Sequence, residues 1–198
     1  MKVGVLALQG AFARHVEMLQ DLGIAAVEVR TVAQLEDVDA MVLPGGESTT
    51  ISMLLERSGL FDPLAERLAD GMPALGTCAG AILLSSEILD GRSDQRCFGV
   101  LPMKVRRNGY GRQVDSFEAD LAISTPGGSG GEHGSGAPPL RVAFIRAPRI
   151  VEVGPGVEVL AEVEGDPVLC RHGSVLASTF HPELGDDPRV HEIFLSRV

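Results

Sequence analysis

Apolar residues in the first half of the chain fall into short unbroken runs, separated by stretches where they recur every three or four positions. Lys2–Leu8 (KVGVLAL) is the first run and ends at Gln9-Gly10. Phe12, Val16 and Leu19 then keep helical spacing, with Gly23 as the stop. Ile24–Arg30 (IAAVEVR) predicts a second strand, and Ala40–Leu43 (AMVL) a third, halted by Pro44-Gly45-Gly46. Thr49–Glu56 and Pro63–Ala69 predict helices parted by Ser58-Gly59. Ala74–Thr77 predicts a fourth strand that breaks at Cys78, after which Ala79–Leu84 is helical. Strand–helix alternation with apolar strands implies an α/β fold, a mostly parallel central sheet flanked by helices. In such sheets ligands gather at the carboxyl ends of the strands. Pro44-Gly45-Gly46 and Cys78 both fall at such ends.

From Cys97 the pattern changes to short β-like runs, which add antiparallel strands in the second half. These are Val100–Val105, Ser116–Ile123, Leu140–Ile145, Val157–Val163 and Val175–Phe180, with a last helix over Pro188–Arg197. Residues 125–139 (TPGGSGGEHGSGAPP) carry too little apolar surface to order themselves, and predict a flexible loop between two strands. The expectation is one domain over residues 1–198 with that loop inside it.

Composition narrows the functional classes. The 198 residues are 44% hydrophobic and 22% charged, ordinary globular usage, with a formal charge of −10. One Tyr, no Trp and a lone basic pair, Arg106-Arg107, argue against a nucleic-acid surface. No apolar stretch approaches the roughly 20 residues of a membrane span. Cys78, Cys97 and Cys170 are odd in number and widely spaced, which predicts free thiols in a reducing, cytoplasmic protein. Cys and His are nowhere paired at ligand spacing, so no metal site is expected.

Gly76-Thr77-Cys78-Ala79-Gly80 is a G-x-C-x-G pentapeptide between an apolar strand and an apolar helix. It predicts a nucleophile elbow, a tight turn that pushes the reactive atom out of the backbone. Side chains at the two glycines would strike the neighbouring strand and helix. The helix start favours a negatively charged sulfur, and the Ala79 N–H faces where an oxyanion would form. A free Cys is usually a buried core residue, and that reading fits Cys97 and Cys170, which lack a turn or a base nearby. Serine hydrolases share the shape of this pentapeptide.

His181-Pro182-Glu183 follows the run Val175–Phe180. Strand alternation would send residues 181 and 183 to one side, so Glu183 can hold one imidazole nitrogen while the other faces a thiol. His15 on the first helix, His133 in the loop, His172 before Gly173 and His191 on the last helix have no such partner in the sequence. They read as surface or satisfied core residues.

The segments Gly76–Gly80 (GTCAG), Pro44–Thr49 (PGGEST) and Phe180–Leu184 (FHPEL) together resemble the class I glutamine amidotransferases. Leu8-Gln9-Gly10, Arg107–Asp120 and Phe144–Pro148 (FIRAP) narrow the resemblance to the glutaminase subunits of pyridoxal 5′-phosphate synthase, over nearly the whole chain. The resemblance implies a flavodoxin-like fold with Cys78 as nucleophile, His181 as general base and acid, and Glu183 as its orienter. It implies an oxyanion hole at Gly46 and Ala79, and glutamine contacts from Gly46, Glu47, Ser48, Arg107, Ile145 and Arg146. No cofactor is implied. The implied partner is the synthase subunit, in a hetero-oligomeric complex that receives the ammonia. Residue chemistry agrees: Arg107 can grip a carboxylate in two-pronged fashion, and Glu47 can accept from an ammonium. Glu47-Ser48-Thr49 equally suits a helix cap, which does not exclude substrate binding. Without the resemblance, Arg107 and Arg146 would read as solvated surface charges. Residues 125–139 are longer and richer in Gly than this family leads one to expect.

Three alternatives remain. A glutaminase serving another acceptor, such as imidazole glycerol phosphate synthase, leaves Gly109–Asp120 and Phe144–Pro148 unexplained. A cysteine peptidase or esterase leaves Glu47 and Arg107 without a purpose. A regulatory glutamine-binding module predicts a broken triad, and none of the three residues is missing.

Overall fold

The computed structural model describes residues 1–109, 116–124 and 138–198. The loop expected at 125–139 therefore lies almost wholly outside the described residues, with His133 and part of the Arg107–Asp120 segment. In chain order the elements begin β1 (Lys2–Leu6), α1 (Phe12–Asp21), β2 (Ala25–Val29), α2 (Val32–Glu36), β3 (Ala40–Leu43) and α3 (Ser48–Arg57). Next come α4 (Phe61–Ala69), β4 (Ala74–Thr77), α5 (Ala79–Leu84), β5 (Ser85–Ile88) and β6 (Leu101–Arg106). The remainder is β7 (Ser116–Leu121), β8 (Leu140–Ile145), β9 (Arg149–Val153), β10 (Glu158–Val163), β11 (Asp166–His172), β12 (Val175–Ser178), a 3₁₀ turn (Pro182–Leu184) and α6 (Arg189–Leu195).

Among the described residues a seven-stranded sheet runs β10-β11-β12-β4-β3-β1-β2. Its β12, β4, β3, β1 and β2 pair in parallel, while β11 and β10 complete one edge antiparallel. Strand alternation divides the core into two faces. Leu6, Met41, Leu43, Ala74 and Ala177 point to the side covered by α3, α4 and α5. Val3, Val5, Ala40, Val42, Leu75 and Leu176 point to the other, where Leu19 of α1 and Val190 and Phe194 of α6 close over them. Phe144 and Phe180 meet edge to face on that second side, ring centroids 5.7 Å apart. The expected α/β architecture is thus the observed one, antiparallel additions included.

Besides strands β9 and β11, which the sequence pattern does not single out, three details differ from the sequence expectation. Helix α2 goes unpredicted because it has only five residues, although Thr31 and Gln34 form a reciprocal capping box at its start. Strand β5 follows α5 without any intervening loop. Glu183 does not continue a strand beyond β12: that strand stops at Ser178, and Pro182 opens a 3₁₀ turn that carries Glu183 inward. Among the described residues no helix is long and apolar enough to cross a membrane.

Candidate active site

Because β12, β4, β3 and β1 are neighbours, the loops leaving their carboxyl ends lie side by side. They deliver His181, Cys78, Gly45-Gly46 and Gln9 to one place. A cleft of about 550 Å³ opens there, lined by Gln9, Gly46, Glu47, Ser48, Cys78, Ala79, Arg107, Ile145, Arg146 and His181 among others. Every residue expected to touch substrate therefore lines one cavity. Glu183 lies behind it, with no exposed surface.

Cys78 sits where β4 passes into α5, at φ 49° and ψ −103°. Positive φ is costly for a residue with a Cβ and persists only where the surroundings enforce it. Here close packing enforces it. A Cβ at Gly80 would collide with the Leu43 carbonyl of β3, and one at Gly76 would stand 2.7 Å from the Gly80 backbone. The chain can turn this sharply only with glycine at both positions. The Cys78 N–H donates to the Ser178 carbonyl at 2.8 Å, tying the elbow to β12.

His181 is anchored by its backbone, whose N–H donates to the Ala143 carbonyl at 3.0 Å. Its Nδ1 lies 2.8 Å from Glu183 Oε1. A carboxylate only accepts, so Nδ1 carries the proton and Nε2 is left for the sulfur. Burial alone would lower the imidazole pKa. Hydrogen bonds to Cys78 and Glu183, with their charges, outweigh it and raise the pKa to about 10. Burial likewise favours a neutral Glu183, but the His181 hydrogen bond and the two nearby histidines hold its carboxyl below the usual value.

The loop after β3 is held from the β1 side. The Gly45 carbonyl accepts from the Ala11 N–H at 3.2 Å. In a trans peptide the C=O and N–H point oppositely, so the Gly46 N–H faces away from the β1–α1 loop. Gln9 Oε1 accepts from the Glu47 N–H at 2.9 Å. Glu47 then caps α3, accepting from the Thr49 N–H at 3.2 Å and the Thr50 N–H at 2.7 Å. Its carboxylate also meets Arg107 Nη2 at 2.7 Å. Burial would raise the Glu47 pKa, but the threonine hydrogen bonds and the Arg107 charge hold it below the usual value. Glu47 is thus the cap of α3, and the same side chain lines the cleft.

Arg107 is not the solvated charge that sequence alone suggests: its side chain is 20% exposed. Arg146 is exposed, at φ 46°. Sequence reasoning missed Gln95. Its Oε1 accepts from Arg107 Nη1 at 3.1 Å and from Thr49 Oγ1 at 3.2 Å, while its amide donates to Ser48 Oγ at 3.0 Å. It joins the arginine to the start of α3, and nothing local in Gly91–Gln95 signals that. His15 and His191 are core residues, the second of the two readings that the sequence left for them: both are fully buried, and His15 lies beside Glu183. Among the described residues no cluster of His, Cys, Asp and Glu could hold a metal ion.

The arrangement pairs a thiol with an imidazole that a buried carboxylate orients, beside a cleft with an acidic and a basic side chain. Such a site can cleave an acyl bond of a small zwitterionic substrate through a thioester. The family model described as the SNO glutamine amidotransferase family matches residues 5–198. A relative in Mycobacteroides abscessus, a pyridoxal 5′-phosphate synthase subunit PdxT, is 52% identical, covering 99% of this chain and 96% of its own. One of the same name in Frankia alni is 49% identical, covering 100% and 94%. A crystal structure titled glutamine amidotransferase superposes with a TM-score of 0.86 at 49% identity, covering 98% of this chain and 97% of its own.

Proposed function

The chain belongs to the SNO glutamine amidotransferase family, and from that membership we propose that it hydrolyses glutamine at Cys78, His181 and Glu183. The ammonia passes to the synthase subunit of a pyridoxal 5′-phosphate synthase, in a hetero-oligomeric complex. The observation that carries the assignment is the convergence of Cys78, His181, Glu47 and Arg107 on one cleft.

Glutamine enters with its α-carboxylate toward Arg107 and its ammonium toward Glu47, with Ser48, Ile145 and Arg146 around it. The Glu47–Arg107 pair found in the cleft opens to admit it, each charge exchanging its neighbour for the matching end of the amino acid. The Cys78 thiolate attacks the side-chain amide carbon, and the carbonyl electrons move onto oxygen. The N–H groups of Gly46 and Ala79 hold that oxyanion; losing one such donor typically costs about 3 kcal/mol of barrier. His181 passes its proton to the amide nitrogen, the C–N bond breaks, and ammonia leaves a thioester.

The raised pKa of His181 explains how one imidazole serves both half-reactions. It rests partly on the Cys78 hydrogen bond and charge. Acylation removes both, so the imidazole becomes a weaker acid holder and a usable base. It then takes a proton from water, whose oxygen attacks the thioester. Glutamate departs, the sulfur regains its charge and His181 its proton.

A reducing, cytoplasmic setting belongs to the same reading, because Cys78 must stay a free thiol; all three cysteines are free. Gly45 and Gly46 give the oxyanion loop a peptide that can turn cheaply, so docking of the synthase can gate turnover. The test is glutamate release by wild type and Cys78→Ala, each with and without a synthase subunit. Wild type turns over slowly alone and faster with the partner, and Cys78→Ala is inactive in both. Glutamate release by Cys78→Ala would refute the assignment, and equal wild-type rates would refute the gating.

A further inference from the structure

Glu183 uses only one of its oxygens on His181. Its Oε2 is fully buried and makes no hydrogen bond of good geometry. A buried carboxylate oxygen left without a donor is costly, and native proteins rarely tolerate one. The side chain that faces it is His15 on α1, whose Nε2 lies 3.4 Å away. The same nitrogen lies 3.2 Å from Thr77 Oγ1, one residue before the nucleophile. On its far side, His15 Nδ1 lies 2.9 Å from His191 Nε2 on α6. His191 Nδ1 has no partner.

We propose that His15, braced by His191, is a positioning residue that donates its Nε2 hydrogen to Glu183 Oε2 and fixes the plane of the carboxylate that orients His181. The inference rests on the triad reading and extends it by a further layer, from a helix near each end of the chain to the base.

Proton bookkeeping selects this arrangement. Both imidazoles are neutral: burial lowers His15 to about 4, and burial and its histidine neighbour lower His191 to about 3. Each ring therefore carries one N–H, and one hydrogen lies between them. If His15 were protonated at Nδ1, the lone pair of its Nε2 would face the Glu183 carboxylate. His191 would then carry its hydrogen on Nδ1, a buried donor with nothing to receive it. With His15 protonated at Nε2, its hydrogen lies between Thr77 Oγ1 at 3.2 Å and Glu183 Oε2 at 3.4 Å, a small ring tilt from the carboxylate, and His15 Nδ1 accepts from His191 Nε2. The partnerless His191 Nδ1 is then a bare lone pair, the milder deficit. Glu183, His181, His15 and His191 are the titratable groups of this buried series, and Thr77 is its neutral neighbour from β4.

The consequence for catalysis is angular. With a donor on each oxygen the carboxylate cannot swivel about its Cγ–Cδ bond, and the His181 ring is held toward the sulfur. Supporting residues of this kind typically change activity 10- to 100-fold when removed. The positioning acts on the reacting groups and leaves the glutamine-binding side chains untouched.

Two measurements test it. The first compares His15→Leu with His15→Gln, since the glutamine amide can place a donor where Nε2 was. His15→Leu should lower kcat about 10- to 100-fold with KM within about twofold, and His15→Gln should recover most of that loss. Full activity in His15→Leu, or no recovery in a folded His15→Gln, would overturn the proposal. The second uses the wild-type protein labelled with nitrogen-15 on histidine, and depends neither on variant folding nor on the glutaminase assay. At neutral pH, NMR should find His15 protonated at Nε2 and bare at Nδ1, with His191 likewise. A bare Nε2 on His15 would overturn the proposal even if the triad assignment stands.

Discussion

Gly45→Ala examines how tightly the catalytic groups are packed. Gly45 is buried, and its backbone is outside the left-handed region, so an alanine adds no torsional strain of its own. The difficulty is space. The new Cβ would lie well inside contact with His181 Cε1, 3.0 Å from Nδ1 and 3.4 Å from Cys78 Cβ. Carbon atoms rest about 3.5–4.0 Å apart, so the ring or the loop must retreat by about 1 Å. Retreat of the ring breaks its 2.8 Å bond to Glu183 or its approach to the sulfur. Retreat of the loop would carry the Gly46 N–H off the oxyanion that it is proposed to hold. A misplacement of that size costs about 100-fold in rate, about 3 kcal/mol of barrier. The assay is steady-state glutamate release, with thermal melting measured alongside. A folded Gly45→Ala protein should lose about 100-fold in kcat/KM. Activity within about threefold of wild type would refute the packing argument.

Two further outcomes follow from the charges of the site. The native pKa values of His15 and His191 lie below the ordinary value of 6.5, so between pH 6.5 and about 4 the unfolded chain binds protons that the native state refuses. Stability should therefore fall as pH drops through that window, by on the order of 3 kcal/mol for each fully titrated histidine, with Glu183 adding to the loss in stronger acid. His181 acts oppositely: its contribution is present below 6.5 and fades as pH rises toward about 10. Urea unfolding at a series of pH values checks both limbs, and a flat profile from pH 7 to 5 would contradict the buried neutral pair. Arg107→Lys keeps the charge but cannot span both Glu47 and Gln95 as the guanidinium does. Its KM for glutamine should rise about tenfold with kcat little changed, and an unaltered KM in steady-state kinetics would remove Arg107 from the substrate's carboxylate.

Much of the site was legible because its signals are local. Gly76–Gly80 combines an apolar strand, a reactive residue and two glycines within five positions, and each glycine has a steric reason that the neighbouring strand and helix supply. Pro44-Gly45-Gly46 marks a strand end in the same way. What remained hidden depends on residues far apart in the chain. Gln95 reaches Ser48, Thr49 and Arg107 across loops that carry no periodicity. His15 and His191 are separated by 176 residues. His15 falls three residues after Phe12 and four before Leu19, on the apolar stripe of α1, so its burial could have been read. Its partners could not, since only the closing of α1 and α6 over one face of the sheet brings them to Glu183. Strands β9 and β11 were missed for a different reason: Arg149–Val153 and Asp166–His172 mix charges, and in the second a proline, with their apolar residues. Their strand character comes from pairing with neighbours more than from their own pattern.

In the proposed reaction the Cys78 sulfur is the atom that attacks glutamine. The most direct test exposes the protein to a glutamine-like diazoketone, with and without excess glutamine, and maps the modified peptides by mass spectrometry. Burial raises the pKa of both other thiols, Cys170 to about 12, which leaves them poor nucleophiles. Modification should fall on Cys78 alone and be suppressed by glutamine. Label on Cys97 or Cys170 with Cys78 untouched, or labelling that glutamine does not suppress, would contradict it.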